Sequence, residues 1–291
     1  MTAAAPVSEG ALPDRIQKPA TGRVVVIGNP NVGKTALYNL LTRESGRVGN
    51  YPGVTVDRHV GRLAGGRDSE RIEVSDVPGT YSLSARSGEE QIAINAVLGF
   101  GGNPQPDLAL VVVDAGQLVR NLYLVLQLIE LQVPCVIALN MIDEVVENPP
   151  NPDAIAKLFG VPFVQTNGRT GEGAAALASA IRSALEAPPK GRVEISYPAA
   201  QRADVDRIAD ALPPAWRANV ERDRALARWA LTSVDDDNDE LTEVGPELRR
   251  CVLEARRRNA FALPCCEGAR TPKHRAPARS RISPTHAPRI R

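Results

Sequence analysis

Gly28-Asn29-Pro30-Asn31-Val32-Gly33-Lys34-Thr35 is the stretch whose residue types and spacing can do the most chemistry. The apolar run Val24–Ile27 precedes it and Ala36–Leu41 follows with helical character, so the pattern G-x-x-x-x-G-K-[ST] has the strand–loop–helix setting it requires. The glycines let successive backbone N–H groups turn inward around a polyphosphate, and the helix N-terminus adds the positive end of its dipole. Gly28, Asn29, Asn31, Val32, Gly33 and Ala36 would then line the phosphates. Lys34 would reach the β- and γ-phosphates, and the Thr35 hydroxyl would ligate Mg²⁺. A short glycine-containing turn with no ligand is the alternative, but pattern and setting agree on a nucleoside triphosphate.

Three more groups refine that reading. Asn140-Met141-Ile142-Asp143 ends the apolar run Cys135–Leu139. A carboxylate at Asp143 can accept from both guanine N1–H and the exocyclic amine, while Asn140 braces neighbouring loops and can donate to the base. Adenine lacks that amine and presents an acceptor in place of a donor, leaving the carboxylate unpaired, a mismatch that rejects the wrong base strongly. Asp76-Val77-Pro78-Gly79 closes the run Ile72–Val77; it delivers Asp76 to the magnesium shell and lets the Gly79 N–H approach the γ-phosphate. Thr55 ends Gly49-Asn50-Tyr51-Pro52-Gly53-Val54-Thr55. Its hydroxyl and carbonyl, with Gly53 and Val54, would close over Mg²⁺ and γ-phosphate as a switch segment. Taken alone, Thr55 is also an ordinary residue for the start of a strand.

The elements that must position these groups alternate between strand and helix. Strands are expected at Val24–Ile27, Val56–Leu63, Ile72–Val77, Leu108–Val113, Cys135–Leu139 and Pro162–Thr166, with helices at Lys34–Thr42, Glu89–Leu98, Val119–Leu131, Asp153–Phe159 and Gly173–Leu185. That succession predicts an α/β domain of P-loop GTPase fold with a mostly parallel six-stranded sheet over residues 21–188. The apolar positions of Leu118–Leu131 are so dense that the helix is expected to be mostly buried. Beyond Pro188-Pro189-Lys190-Gly191, which reads as a linker, Ala203–Leu212, Ala215–Leu231 and Pro246–Arg257 carry helical patterns only, predicting a small all-helical domain over 194–258. Arg58 and His59 are expected to face solvent rather than act as a base.

Residues 1–20 mix Ala, Pro and charge without periodicity and read as a disordered leader. The 259–291 tail has five prolines and seven Lys/Arg against one acidic residue, while the whole 291-residue chain has a net charge of only +1. The body therefore lacks the positive excess that announces nucleic acid, and no nucleic-acid partner is expected. Cys265-Cys266 with His274 and His286 does not have structural zinc spacing, and Asp235-Asp236-Asp237 reads as an exposed acidic loop. The four cysteines show no framework spacing and no secretory signal opens the chain, pointing to a reducing cytoplasm. No apolar run approaches the ~18 residues that span a bilayer.

The P-loop, then V-G-N-Y-P-G-V-T-V, D-V-P-G-T-Y-S-L and N-M-I-D, resemble in order the cytosolic G domain of the ferrous iron transport protein B (FeoB) family. The resemblance runs from about Arg23 to Arg258, because the helical segment is similar to the one that links the family's G domain to its membrane part. It implies slow GTP hydrolysis to GDP coupled to Fe²⁺ uptake at the cytoplasmic face of the bacterial inner membrane. Its partners would be the membrane channel domain and other transporter subunits, with oligomers possible. It also implies a K⁺ near the phosphates, ligated by Asn31, so that Asn31, Lys34, Thr55 and Gly79 form the catalytic set. Asn31 as a plain turn residue is the alternative.

This chain departs from the family pattern in three ways. It lacks the long polytopic membrane domain. Thr80 stands where Ras-like proteins use a water-orienting Gln, so switch backbone groups would have to position the water. The last guanine-contacting loop reads Thr166-Asn167-Gly168 in place of the usual Ser-Ala, with the Gly168 amide still offered to guanine O6; looser binding and fast GDP release are expected. Competing readings are a ribosome-assembly GTPase of the Era or Der kind and a nucleotide switch whose hydrolysis is incidental.

Overall fold

The computed structural model describes residues 21–43, 47–51, 57–66, 70–84, 88–145, 147–192, 199–234 and 244–259. The elements run β1 (Thr21–Gly28), α1 (Lys34–Thr42), β2 (Arg47–Asn50), β3 (Asp57–Arg62), β4 (Arg71–Asp76), α2 (Gly88–Leu98), β5 (Leu108–Asp114), α3 (Leu118–Glu130), β6 (Cys135–Asn140), α4 (Pro152–Phe159), β7 (Phe163–Gln165), α5 (Ala174–Glu186), α6 (Ala199–Asp210), α7 (Val220–Ser233) and α8 (Pro246–Asn259). Gly53, Val54 and Thr55 lie outside the described residues, as do the leader, the Asp235–Asp237 run and the tail after Asn259.

Period-two alternation in the central strands sorts side chains into two cores. Val25 and Ile27 of β1, Ala109, Val111 and Val113 of β5, and Cys135, Ile137 and Leu139 of β6 face one core, which α2, α3, α7 and α8 complete. Val24, Val26, Leu108, Leu110, Val112, Val136 and Ala138 face the other, closed by Leu37 and Leu41 of α1 and Leu177 and Ile181 of α5. A strand covered on both faces must be apolar throughout, and that is why β1, β5 and β6 are continuous runs. Each such side chain fully removed from water contributes about 1.5–3 kcal/mol before entropy is charged against it.

The sheet order is β2-β3-β4-β1-β5-β6-β7. β1 pairs in parallel with β4 and β5, β5 with β6, and β6 with β7; β2–β3 and β3–β4 are antiparallel. The six expected strands are present, and β2 adds a seventh at the edge. Its four residues, Arg47-Val48-Gly49-Asn50, have no apolar alternation to announce a strand; pairing with β3 defines it. The parallel order brings the C-terminal ends of β1, β4, β5 and β6 to one edge, where the loops carrying Asn31, Gly79 and Asp143 emerge.

Two helices differ from expectation. α3 buries Asn121, Leu124, Val125, Leu128 and Ile129 but leaves Val119 at 88% and Tyr123 at 54% exposure, so only one of its faces is covered. The expected helix Ala215–Leu231 is a 3₁₀ turn, Pro214–Trp216, followed by α7, because the Asn219 side chain accepts from the Arg222 N–H and caps a new helix there.

The helices after Ala199 pack onto the sheet-side core. Trp216 stacks on Phe100 at a 4.0 Å centroid separation, and Arg228 of α7 pairs with Glu130 of α3. Gln132 receives the Asn219 amide and donates to Glu221, both at 3.0 Å. All described residues fall in one compact unit ending at Asn259. No helix among them is long and apolar enough to cross a membrane.

Candidate nucleotide site

β1 ends against β5 so closely that a Cβ on Gly28 would lie 2.4 Å from the Val112 carbonyl oxygen, a contact only glycine avoids. The loop then turns through Asn31 at φ 65° and Gly33 at φ 85°, and Leu37 N–H closes the first helical turn on the Gly33 carbonyl at 3.1 Å. Lys34 is buried, and its ammonium donates to the Asn29 carbonyl at 3.3 Å. Burial pulls the Lys34 pKa down, and Asp76 pushes it partly back. Asn31 is exposed at the loop's tip.

Asp76 leaves β4 beside this loop. One carboxylate oxygen, Oδ2, accepts from the Thr35 hydroxyl at 2.9 Å; the other, Oδ1, is buried with no hydrogen-bond partner. Burial raises the Asp76 pKa, opposed by the Thr35 hydrogen bond, the charges of Lys34 and His59, and the Val77 N–H. A buried anionic oxygen without a partner, next to a hydroxyl, is a donor set that suits a small hard cation such as Mg²⁺. Tyr51, which the sequence reading did not single out, is buried and donates its hydroxyl to the Asp76 carbonyl at 2.6 Å; burial raises its pKa.

Past the half-buried Pro78, Gly79 sits tight on the P-loop: a Cβ there would be 3.0 Å from both Lys34 Nζ and Pro30 N. Val77 N–H bonds the Val26 carbonyl and Thr80 N–H the Gly28 carbonyl, at 3.3 and 3.1 Å, which zips this segment onto the end of β1. The Thr80 hydroxyl donates to the Ser82 carbonyl at 2.5 Å.

On the far side of the P-loop, Asn140 is 2% exposed and uses its whole amide as a brace. Nδ2 donates to the Val32 carbonyl at 2.9 Å, while Oδ1 accepts from the Gly168 N–H at 2.9 Å and the Thr166 hydroxyl at 3.3 Å. The Gly168 amide, expected to be free for guanine O6, is thus occupied in joining the loops. Asn167 likewise folds inward, its Oδ1 accepting from the N–H groups of Arg169 and Thr170 at 2.9 and 3.1 Å. Met141 takes φ 59° and starts a 3₁₀ turn that presents Asp143 to a cleft of about 200 Å³. Gly33, Ala36, Asn140, Met141, Asn167 and Gly168 line the same cleft. Asp143, 34% exposed, is met at 2.8 Å by the guanidinium of Arg169, 79% exposed.

The structure therefore brings Lys34, Thr35, Asp76 and Gly79 together at one end of the P-loop and Asn140, Asp143, Thr166, Asn167 and Gly168 at the other. Arg58 pairs with Glu73 at 3.5 Å and His59 is exposed on β3, neither reaching the cleft. Tyr51 and Arg169 were not foreseen. Their roles arise from contacts across 25 and 26 residues of chain, and neither residue type is diagnostic.

Residues 22–181 match the family model described as ferrous iron transport protein B. Over 153 residues the chain is 48% identical to the Fe(2+) transport protein A/Fe(2+) transporter FeoB fusion protein of Porphyromonas gingivalis, covering 52% of this chain and 18% of that protein. It is 44% identical over 162 residues to the Fe(2+) transporter FeoB of Salmonella typhimurium, covering 54% and 20%. The chain thus matches about a fifth of the length of these curated relatives. Among solved structures it is similar to a GDP-bound mutant of S. thermophilus NFeoB, with TM-score 0.65, 32% identity, and coverage of 81% of this chain and 88% of that one. It is also similar to the cytosolic domain of L. pneumophila FeoB, with TM-score 0.63, 28% identity, and coverage of 81% and 97%.

Proposed function

The chain belongs to the ferrous iron transport protein B family, and on that premise we propose that it binds GTP and GDP with Mg²⁺ and slowly hydrolyses GTP. The observation that carries the reading is Asn140, whose single amide joins the P-loop carbonyl of Val32 to the Gly168 amide and sets Asp143 at the edge of the same cleft. A phosphate-binding loop and a carboxylate that can read N1–H and the exocyclic amine are thereby held as one unit, the arrangement that guanine selection requires.

In this reading Lys34 neutralises the β- and γ-phosphates, and its lowered pKa reflects a site kept dry for an anionic partner. Thr35 and Asp76 would hold Mg²⁺, which when bound supplies charge stabilisation to the phosphates. Gly79, packed on Lys34 and Pro30, brings its N–H to the γ-phosphate, and Thr55 with Gly53 and Val54 closes the other side. The Thr80 hydroxyl is spent on Ser82, so it does not orient water and hydrolysis is slow. Asn31, exposed at the loop's tip, is assigned to K⁺, which when bound adds positive charge beside the phosphates. The region 21–188 serves as the nucleotide domain and 194–258 as its helical output. Together they form the cytosolic regulatory part of a bacterial ferrous iron transporter, with the membrane channel domain as partner at the cytoplasmic face of the inner membrane.

The test is turnover of GTP by the purified chain in KCl and in NaCl at matched ionic strength, with ATP as control. Hydrolysis of GTP alone, faster in KCl, is the expected result. ATP hydrolysed as readily as GTP would overturn the role given to Asp143. Asn31→Ala retaining full potassium stimulation would remove the assignment of K⁺ to that residue.

A further inference from the structure

The Arg169 guanidinium sits 2.8 Å from Oδ2 of Asp143, the carboxylate that the proposed function assigns to the base. A guanidinium is planar and offers parallel N–H donors that match a carboxylate. Guanine offers the same pattern to that carboxylate, with N1–H and the exocyclic amine side by side. We propose that Arg169 is an internal stand-in for guanine, a specificity-loop residue that holds Asp143 when no base is present and must be displaced for nucleotide to bind. The inference rests on the reading of Asp143 as the base-recognising group.

The surroundings of Arg169 suit a reversible competitor. Its backbone is anchored, because the Asn167 side-chain oxygen accepts from the Arg169 and Thr170 N–H groups. Its side chain is 79% exposed, so nothing packs the guanidinium in place and it can swing into water without losing buried contacts. Asp143 is 34% exposed and lines the cleft, within reach of a ligand as well as of Arg169. As a base leaves, Arg169 recaptures the carboxylate and spares it an unpaired state, which lowers the barrier to release. Exchange is thereby accelerated and affinity reduced, while discrimination by the carboxylate is kept.

The experiment is stopped-flow binding of mant-GDP with Mg²⁺ to the wild-type chain and to Arg169→Ala, with Arg169→Lys as a second variant. Exposed ion pairs are weak, so Arg169→Ala is expected to bind about two- to five-fold more tightly, mainly through slower release. Lysine keeps the charge but lacks the planar fork and falls between the two. Raising salt screens the pair and narrows the ratio between wild type and Arg169→Ala. Equal affinity in all three proteins, or weaker binding by Arg169→Ala as expected if the guanidinium instead covers the bound base, overturns the stand-in and leaves the nucleotide reading intact. Failure of folded wild type and variants alike to bind mant-GDP overturns both.

Discussion

Trp229 in α7 donates its indole N–H to the carbonyl of Leu83 at 2.7 Å, across 146 residues of sequence. The Ser233 hydroxyl also reaches that carbonyl, at 3.4 Å, and the Leu83 N–H donates to the Gln127 side chain of α3 at 2.9 Å. Leu83 is fully buried, yet its backbone polar groups are satisfied by side chains from two helices rather than by a ladder. The segment from Asp76 to Leu83 is therefore fastened to β1 at one end and to α3 and α7 at the other. Gly79 lies between the two fastenings, so movement of its N–H toward a γ-phosphate pulls on α7 through one hydrogen bond.

Trp229→Phe deletes the donor and leaves a buried carbonyl with only the longer Ser233 contact. A loss of about 1–3 kcal/mol in urea unfolding is expected, the range for an unsatisfied buried acceptor. Ser233→Ala, which keeps the indole bond, should cost less. With Trp216→Phe, Trp229 becomes the sole tryptophan, and its emission should respond to a non-hydrolysable GTP analogue more than to GDP. No difference between the two nucleotides would show that Leu83 does not transmit the state of Gly79.

Asp76 makes stability depend on pH in a defined direction. Burial raises its folded-state pKa above the ordinary 3.8, so the folded chain favours the neutral carboxyl. Its contribution to stability is fully present below pH 3.8 and is lost as pH rises through the folded value. Asp76→Asn removes the burial cost of the charge while keeping an oxygen for the Thr35 hydroxyl. Without nucleotide, the variant should be more stable than wild type at neutral pH, and the gap should close on acidification. Unfolding midpoints measured across pH check this; a constant gap would mean that another group sets it.

Much of this site can be read from sequence because its chemistry is local in the chain. The P-loop, α1 at Lys34–Thr42, and Asp76 and Asn140 at strand ends all follow from patterns a few residues long. What escapes is decided between segments. β2 is a strand only because β3 lies beside it, and Val119 and Tyr123 are apolar in sequence yet lie on the uncovered face of α3. The Gly168 amide looks free until Asn140, 28 residues earlier, is seen to take it. Arg169 follows the loop motif directly, but only the fold shows that it turns onto Asp143.

Gly33 couples the two halves of the site. A side chain there meets two penalties: φ of +85°, in the left-handed region, and a Cβ position 2.4 Å from Asn140 Nδ2. Gly33→Ala should destabilise the chain by about 1–3 kcal/mol from backbone strain and displace the Asn140 amide from the Val32 carbonyl. Equilibrium titration with mant-GDP should then show weaker binding even under conditions where the variant is folded. Unchanged affinity would mean that the Asn140 brace does not organise the cleft.

Release of GDP tests the last loop. With the Gly168 amide bonded to Asn140, guanine O6 meets a loop that is already committed, and GDP should leave quickly; a dissociation half-life of hours would contradict this. Gly168→Ala probes the same loop by stiffening it. No left-handed φ opposes the substitution, and the new Cβ would lie 3.3 Å from the Ala36 Cβ and 3.4 Å from Asn140 Nδ2, contacts relieved by shifts of a few tenths of an ångström. Restricting the unfolded and open forms of a loop by one Gly→Ala change favours the ordered form by about 0.4–1 kcal/mol. That corresponds to GDP release slowed by about two- to five-fold, read as the decay of mant-GDP fluorescence during chase with excess GDP. Faster release would mean that the Ala36 contact pushes the loop outward, so that close packing between α1 and the loop, rather than backbone freedom at Gly168, governs how long the base stays.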